Sequence, residues 1–249
     1  MVIRISLGNV GSGKTANEVR EMVLNKANRQ IFSNIHTKGI KHCYDLNANM
    51  ILKREVKGTT KKKDGTVQEV VDYTINQEFW QSIKDPCSVV LDEFHIFADP
   101  RNSMSKRSRL MMQWVALIRR VLGSNPSGEG ELVIITQLPN RVDVILREMA
   151  HQIRYHVGHF DKQCQQCKYS WHETSEASEP QWNCPRCGSN TIKRTRFYIE
   201  IWHFTSMARF MDWRYLSHKT YHRHYLVRDI EQYFPLYNTL QWDNLFENF

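Results

Sequence analysis

Short apolar runs separated by stretches of helical period organise this chain. Residues 2–7 are an apolar run that reads as a buried strand, and residues 16–28 follow with helical spacing. Residues 29–34 predict a second short strand, and 35–49 an irregular connection. Residues 51–75 alternate and turn at Lys63-Asp64-Gly65, which predicts a β-hairpin. The apolar strand 88–94 ends in Asp92-Glu93, and helical periodicity returns over 110–122. Residues 131–136 predict a buried strand that ends at Gln137 and is broken by Pro139; a helix over 142–150 and an alternating strand over 152–160 follow. Residues 197–204 resume as a strand rich in β-formers. Strands alternating with helices predict an α/β fold with a mainly parallel central sheet and helices on both faces. Ligands of such sheets bind past the carboxyl ends of the strands, where Lys14, Asp92 and Gln137 fall.

The turn between the first strand and first helix reads Gly8-Asn9-Val10-Gly11-Ser12-Gly13-Lys14-Thr15, the form G-x-x-x-x-G-K-T. In a strand–loop–helix context this predicts a phosphate-binding loop. Its glycines let successive N–H groups point at phosphates, and the helix N-terminus adds partial positive charge. Lys14 is then expected to reach the β- and γ-phosphates of ATP, and the Thr15 hydroxyl to ligate Mg2+.

Hydrolysis needs a second anchor for the cation and a group that activates water. Asp92 is the candidate anchor and Glu93 the candidate base, since two adjacent carboxylates at the end of an apolar strand are costly without a cation to meet them. Gln137 is positioned to touch both the γ-phosphate and the attacking water, with Thr136 a weaker candidate. Arg119 or Arg120, supplied to a neighbouring subunit, is favoured to meet the charge that develops on the phosphoryl group; Arg147 and Arg154 are alternatives.

Cys164-x-x-Cys167, a sixteen-residue gap and Cys184-x-x-Cys187 form a strong zinc signature. Four thiolates close a tetrahedral shell, so the metal would be structural Zn2+. Disulfides, a redox pair and His172 as substitute ligand are the weaker alternatives. Cys43 and Cys87 lack partners at metal spacing and read as ordinary thiols, and the neighbouring aromatic residues read chiefly as packing for the knuckles.

The chain has 249 residues, an ordinary 41% apolar content and net charge +8. The excess of lysine and arginine is compatible with a polyanion partner, nucleic acid first. Lys53, Arg54, Lys57, Lys61, Lys62 and Lys63 cluster on the predicted hairpin, which reads equally as a DNA contact or as a solvated, edge-protecting hairpin. No stretch has the apolar length of a membrane span and no secretory signal is evident, so a cytoplasmic location, in a host cell if viral, is the expectation.

Three stretches, residues 8–15, 89–97 and 133–144, together resemble the HerA–FtsK superfamily of motor ATPases, including viral genome-packaging ATPases. They are also similar to the ATPase domain of zonular occludens toxin-like proteins of filamentous phages, whose pattern Ser33-Asn34-Ile35 matches. The resemblance implies a P-loop NTPase three-layer sandwich, Mg-ATP hydrolysis, a homo-oligomeric ring with an arginine in trans, and DNA drawn through it. The expected division is an ATPase core over 1–158, a zinc-ribbon-like β-hairpin insertion over 159–196, and a final core strand with C-terminal extension over 197–249. The favoured reading is an ATP-driven translocase that moves double-stranded DNA into a capsid, with portal or vertex proteins as partners. A phage assembly or extrusion ATPase and a nucleotide kinase with a zinc lid are the alternatives.

Overall fold

The computed structural model describes residues 2–26, 28–61, 67–94, 106–124, 130–179 and 181–238. Strand β1 (Val2–Leu7) leads into helix α1 (Lys14–Leu24), then β2 (Gln30–Ser33), β3 (Cys43–Asp45) and α2 (Ala48–Ile51). A hairpin of β4 (Leu52–Lys61) and β5 (Val67–Ile75) follows, then α3 (Gln77–Ser82), β6 (Cys87–Leu91), α4 (Lys106–Ser124) and β7 (Glu131–Ile135). The chain continues through α5 (Val144–Met149), β8 (Gln152–Cys164), β9 (Ser170–Thr174), β10 (Ile192–Phe204), α6 (Met207–Leu216) and β11 (Arg223–Val227), and then a 3-10 segment, Ile230–Leu236.

Among the described residues one sheet runs in the order β11-β10-β8-β1-β7-β6-β2-β3, with β9 paired to β8. Every pairing from β8 to β3 is parallel, while β9, β10 and β11 join antiparallel on one side. The predicted mainly parallel sheet is therefore present, flanked by helices.

Alternation of side chains across the strands builds a core on each face. Ile3, Ile5 and Leu7 of β1 pack with Val89 and Leu91 of β6, Leu132 and Ile134 of β7 and the α4 residues Met111, Trp114 and Ile118. On the other face Val90, Val133 and Ile135 meet Ala16, Val19 and Met22 of α1, and Ile199, Ile201 and Val227 meet Ile230 and Tyr233. The result is the three-layer sandwich.

The face of β1 toward α1 is not apolar. Arg4 and Ser6 both bind the carboxylate of Glu18 on α1, at 2.6 and 2.7 Å, and all three are buried. Burial pushes the Glu18 carboxyl up, but Arg4, Arg154 and the Ser6 hydrogen bond outweigh it and hold it below its ordinary range. Arg4 also pairs with Glu131 of β7 at 3.0 Å, so one guanidinium ties the helix to two strands.

The elements depart from the sequence reading where apolar pattern is weak. The stretch 35–49 contains β3, three residues too short to show alternation. Helix α1 stops at Leu24, where Asn25 (φ 23°) caps it. Strands β8 and β10 run on to Cys164 and back from Ile192, beyond the helical layers, with largely polar side chains that carry no buried-strand signature. The predicted hairpin pairs Leu52 with Ile75 through Lys61 with Val67; its turn at Lys63-Asp64-Gly65 lies outside the described residues.

Glu18→Gln should cost about 3–5 kcal/mol, because it leaves the buried Arg4 without its main counter-charge. Urea denaturation at neutral pH measures this. Since the Glu18 carboxyl is held low when folded, the difference from wild type should shrink as pH falls through that depressed value.

Candidate active site and metal centre

Level strand ends assemble the site. In the parallel register Ser6 of β1 lies beside Ile135 of β7, Leu91 of β6 beside Ile134, and Ser33 of β2 beside Val90. The residues just past these ends, from Gly8 onward, Gln137, Asp92 and Asn34, therefore emerge on one rim.

The loop is held in a tight curve. Gly13 has φ 82°, and a Cβ there would lie 2.3 Å from Cδ1 of Ile199 on β10. Gly158 on β8 backs the loop so closely that a Cβ would sit 2.6 Å from the Gly11 carbonyl oxygen. Sequence reading missed this glycine; its signal, a lone glycine inside an alternating strand, marks close backbone approach.

Lys14 is buried, and its Nζ donates to the carbonyls of Gly8 and Asn9 at 2.8 and 3.0 Å. Burial lowers its pKa, against the opposing charges of Asp92 and Glu93. The Thr15 hydroxyl donates to Asp92 Oδ2 at 2.6 Å, which brings both predicted Mg2+ ligands together. Burial raises the Asp92 carboxyl to about 6, and neighbouring Glu93 adds to the shift. Hydrogen bonds from Thr15 and the Glu93 N–H and the charge of Lys14 oppose it. A doubly charged cation between Thr15 and Asp92 would relieve that cost.

Asn34 fixes this carboxylate's backbone on both sides. Its Nδ2 donates to the Asp92 carbonyl at 2.9 Å, and its Oδ1 accepts from the Asp92 N–H at 2.7 Å. The sequence analysis gave Asn34 no role; its place at the end of β2, one strand from β6, makes the clamp. Glu93 occupies the left-handed region (φ 50°), strained backbone of the kind found at functional sites, and its N–H is held by Asp92 Oδ1 at 2.8 Å. Gln137 Nε2 donates to Glu93 Oε1 at 3.3 Å, so the glutamine and the candidate base act as one unit. Thr136, by contrast, is fully buried.

These residues line a cleft of about 430 Å³ that includes Val10, Gly11, Gly13, Lys14, Thr15, Asn34, Asp92, Glu93 and Gln137. That size suits a small-molecule ligand. Asn9 turns away from it, its Nδ2 donating to the Ser175 carbonyl at 3.0 Å, and the buried Ser12 hydroxyl is wedged where a Gly8 Cβ would be.

The arginines fall out differently. Arg120 is exposed on α4, open to a neighbouring molecule, while the side chain of Arg119 is outside the described set. Arg154 lies buried behind α1 near Glu21 (3.7 Å), unable to reach across an interface. Arg194, which sequence reading passed over, lines the cleft itself.

On the hairpin, Lys53, Arg54 and Lys57 pair with Glu78, Glu69 and Asp72 at 3.5, 2.6 and 2.5 Å. Their charges are partly matched by these acids, two on β5 and one on α3, which reduces the positive field expected there. Lys62 and Lys63, and the side chain of Lys61, lie outside the described residues.

At the far end of β8 and β10 the four cysteines converge, all Sγ atoms within 4.8 Å of one another. Cys164 and Cys187 are 3.7 Å apart and Cys167 and Cys184 3.6 Å, too far for disulfides and close to the roughly 3.8 Å edge of a tetrahedron with 2.3 Å metal–sulfur bonds. Each knuckle turns through a left-handed residue, Lys168 or Gly188, whose N–H returns to the carbonyl of the first cysteine. The N–H groups of Cys167 and Arg186 point at the sulfurs of Cys164 and Cys184. This donor set fits a tetrahedral, thiolate-preferring metal. His172 instead bonds Asp161 and His159, so it is no ligand. Cys87 is a buried thiol pushed up to about 12 by burial.

A family model for zonular occludens toxin (Zot) matches residues 2–182. The chain belongs to the zonular occludens toxin family. Among solved structures, this Zot-family chain is similar to the N-terminal domain of zonular occludens toxin from Neisseria meningitidis, with 16% identity over 95% of this chain and 98% of that one, TM-score 0.49. It is also similar to the genome packaging NTPase B204 from Sulfolobus turreted icosahedral virus 2 in complex with ATP-gammaS, with 16% identity over 62% of this chain and 74% of that one, TM-score 0.34. No curated protein matches the Zot-family chain. Among the described residues no helix is long and apolar enough to cross a membrane.

Asp92 generates a pH prediction for the protein free of nucleotide and cation. Its carboxyl titrates near 3.8 when unfolded and about 6 when folded, so its stabilising protonation is complete below 3.8 and lost as pH rises through 6. Asp92→Asn should therefore gain about 1.4 kcal/mol on wild type as pH rises from 5 to 8, about half of the full shift. Melting curves at the two pH values test it; a gap that does not widen would contradict the assignment.

Cys164→Ser with Cys167→Ser should abolish metal binding and lower the melting temperature, whereas Cys43→Ser should do neither. Elemental analysis of the purified variants reads the first effect directly.

Proposed function

We propose that this protein is an ATPase that hydrolyses Mg-ATP and couples the reaction to moving DNA during virus assembly. The carrying observation is the single cleft in which Lys14, Thr15, Asp92, Glu93 and Gln137 meet at the ends of three parallel strands.

In this reading the loop N–H groups and Lys14 hold the phosphates, and Lys14 leaves the Gly8 and Asn9 carbonyls to do so. Thr15 and Asp92 are the residues that would hold Mg2+. Bound magnesium would neutralise charge on the β- and γ-phosphate oxygens. Glu93 takes a proton from the attacking water, and Gln137, bonded to Glu93, orients that water against the γ-phosphate. An arginine from a neighbouring subunit, Arg120 being the exposed candidate, completes the charge around the phosphoryl group. Such a ring would expose basic surface to DNA, in keeping with net charge +8. The four cysteines are assigned to structural Zn2+ that stiffens the β8–β10 hairpin tip, itself suited to touch DNA or a partner protein.

Family membership over residues 2–182 favours the phage assembly and extrusion reading over capsid filling, which the sequence analysis had put first. Both readings share the motor chemistry and differ in the partner at the ring's exit.

Glu93→Gln should bind ATP with affinity within about threefold of wild type while turnover falls by about 10²-fold or more. Phosphate release from Mg-ATP, with and without long DNA, should show several-fold stimulation in wild type that fades as salt rises. Undiminished hydrolysis in Glu93→Gln would remove Glu93 from the mechanism. Transfer of phosphate to AMP in place of release would establish the kinase alternative.

A further inference from the structure

The cleft has two ends, and the chemistry above uses one. Asp92, Glu93 and Gln137 follow β6 and β7, on one side of β1. On the other side stand β8 and β10, the latter two strands or about 10 Å from β1. A nucleotide whose γ-phosphate faces the carboxylates finds the same cleft continuing toward β8 and β10 for its sugar and base.

An aromatic wall waits there. Phe160 of β8 stacks on Phe197 of β10 with ring centroids 5.0 Å apart, and Phe197 meets Phe234 of the 3-10 segment at 5.8 Å. All three line the cleft, and the wall abuts the loop: a Cβ on Gly11 would come within 3.7 Å of the Phe160 ring. Phe197 is buried, whereas Phe160 and Phe234 are half-buried and keep surface toward the opening.

A β-bulge brings Arg194 to the same place. The β8–β10 register pairs Phe197 with Phe160, Arg196 with Asp161 and Arg194 with Lys162, leaving Thr195 as the extra residue. Without the bulge, Thr195 would share the face of Phe197 and Arg194 would point away from the cleft. Thr195 Oγ1 anchors the bulge on the Asp161 carbonyl at 3.0 Å. The guanidinium of Arg194 then lies 5.3 Å from the Phe197 ring centroid and 5.9 Å from that of Phe234, steered by Glu231 at 3.2 Å. Arg194 and Glu231 are both substantially exposed, so this pair can open or shift without loss of a buried contact.

We infer that Phe160, Phe234 and Arg194, with Phe197 behind them, form a nucleobase site that holds the purine of the bound nucleotide by stacking. Flat π faces suit an aromatic ring and a planar guanidinium, and the Arg194–Glu231 pair offers a donor beside an acceptor to the edge of the base. The inference rests on the nucleotide reading of the cleft. Phe160, Arg194 and Phe234 are specificity residues in it and take no part in phosphate chemistry.

The test compares two ligands on full-length protein with magnesium: ATP, which has a base, and inorganic tripolyphosphate, which has none. Arg194→Ala, at an exposed side chain, should retain the wild-type melting temperature, whereas Phe234→Ala gives up packing on Phe197 and its tripolyphosphate binding reports that the phosphate site is still folded. Each should weaken ATP binding by about tenfold or more, the effect of losing one stacking partner, and leave tripolyphosphate binding within about twofold. Equal weakening of both ligands, or of neither, would overturn the nucleobase site while leaving the phosphate site in place. If wild-type protein bound neither ligand, the nucleotide reading beneath the proposal would fail with it.

Discussion

The parallel backbone register of β6, β7 and β1 is the constraint on which the site depends. Hydrogen bonding keeps the three strands level, so their carboxyl ends open on one rim and deliver a phosphate loop, a carboxylate pair and a glutamine within reach of each other. Interposing β7 between β1 and β6 sets Gln137 between the loop and the carboxylates. A one-residue slip would turn every core side chain to the opposite face, so the two apolar cores enforce the same register that the chemistry needs.

Electrostatic cost is concentrated at that rim and beneath α1, with different solutions. Under the helix, the buried Glu18 carboxylate is met inside the fold by the Arg4 guanidinium and the Ser6 hydroxyl. At the rim, Asp92 is forced up to about 6 beside another carboxylate and the loop lysine binds its own backbone carbonyls. The first arrangement stabilises the fold; the second is a site whose charges fit best with a cation and phosphates present.

Much of this was legible in the chain. The loop from Gly8 to Thr15, the pair Asp92-Glu93 and the strand-end Gln137 each follow an apolar run long enough to announce a buried strand, and the cysteine spacing announces the knuckles. Less legible were residues whose role lies in a neighbour far along the chain. Asn34 matters because β2 lies beside β6, and Gly158 because β8 passes behind the loop. Arg194 matters because a bulge at Thr195 turns it toward Phe197. Polar strand extensions, such as the outer halves of β8 and β10, give no hydrophobic alternation, so their bounds were not legible, although the cysteine spacing pointed to a β-hairpin there.

The sequence alone determined the main strand–helix alternation, the mainly parallel sheet, the phosphate loop and the four-thiolate set, because local periodicity and motif spacing encode them directly. Tertiary structure decided which ends meet. It paired Lys53, Arg54 and Lys57 with acids, buried Arg154 out of reach of any neighbour and carried Arg194 into the cleft. The physical reason is that strand order, register and bulges are set by packing between segments distant in sequence, and no local pattern records them.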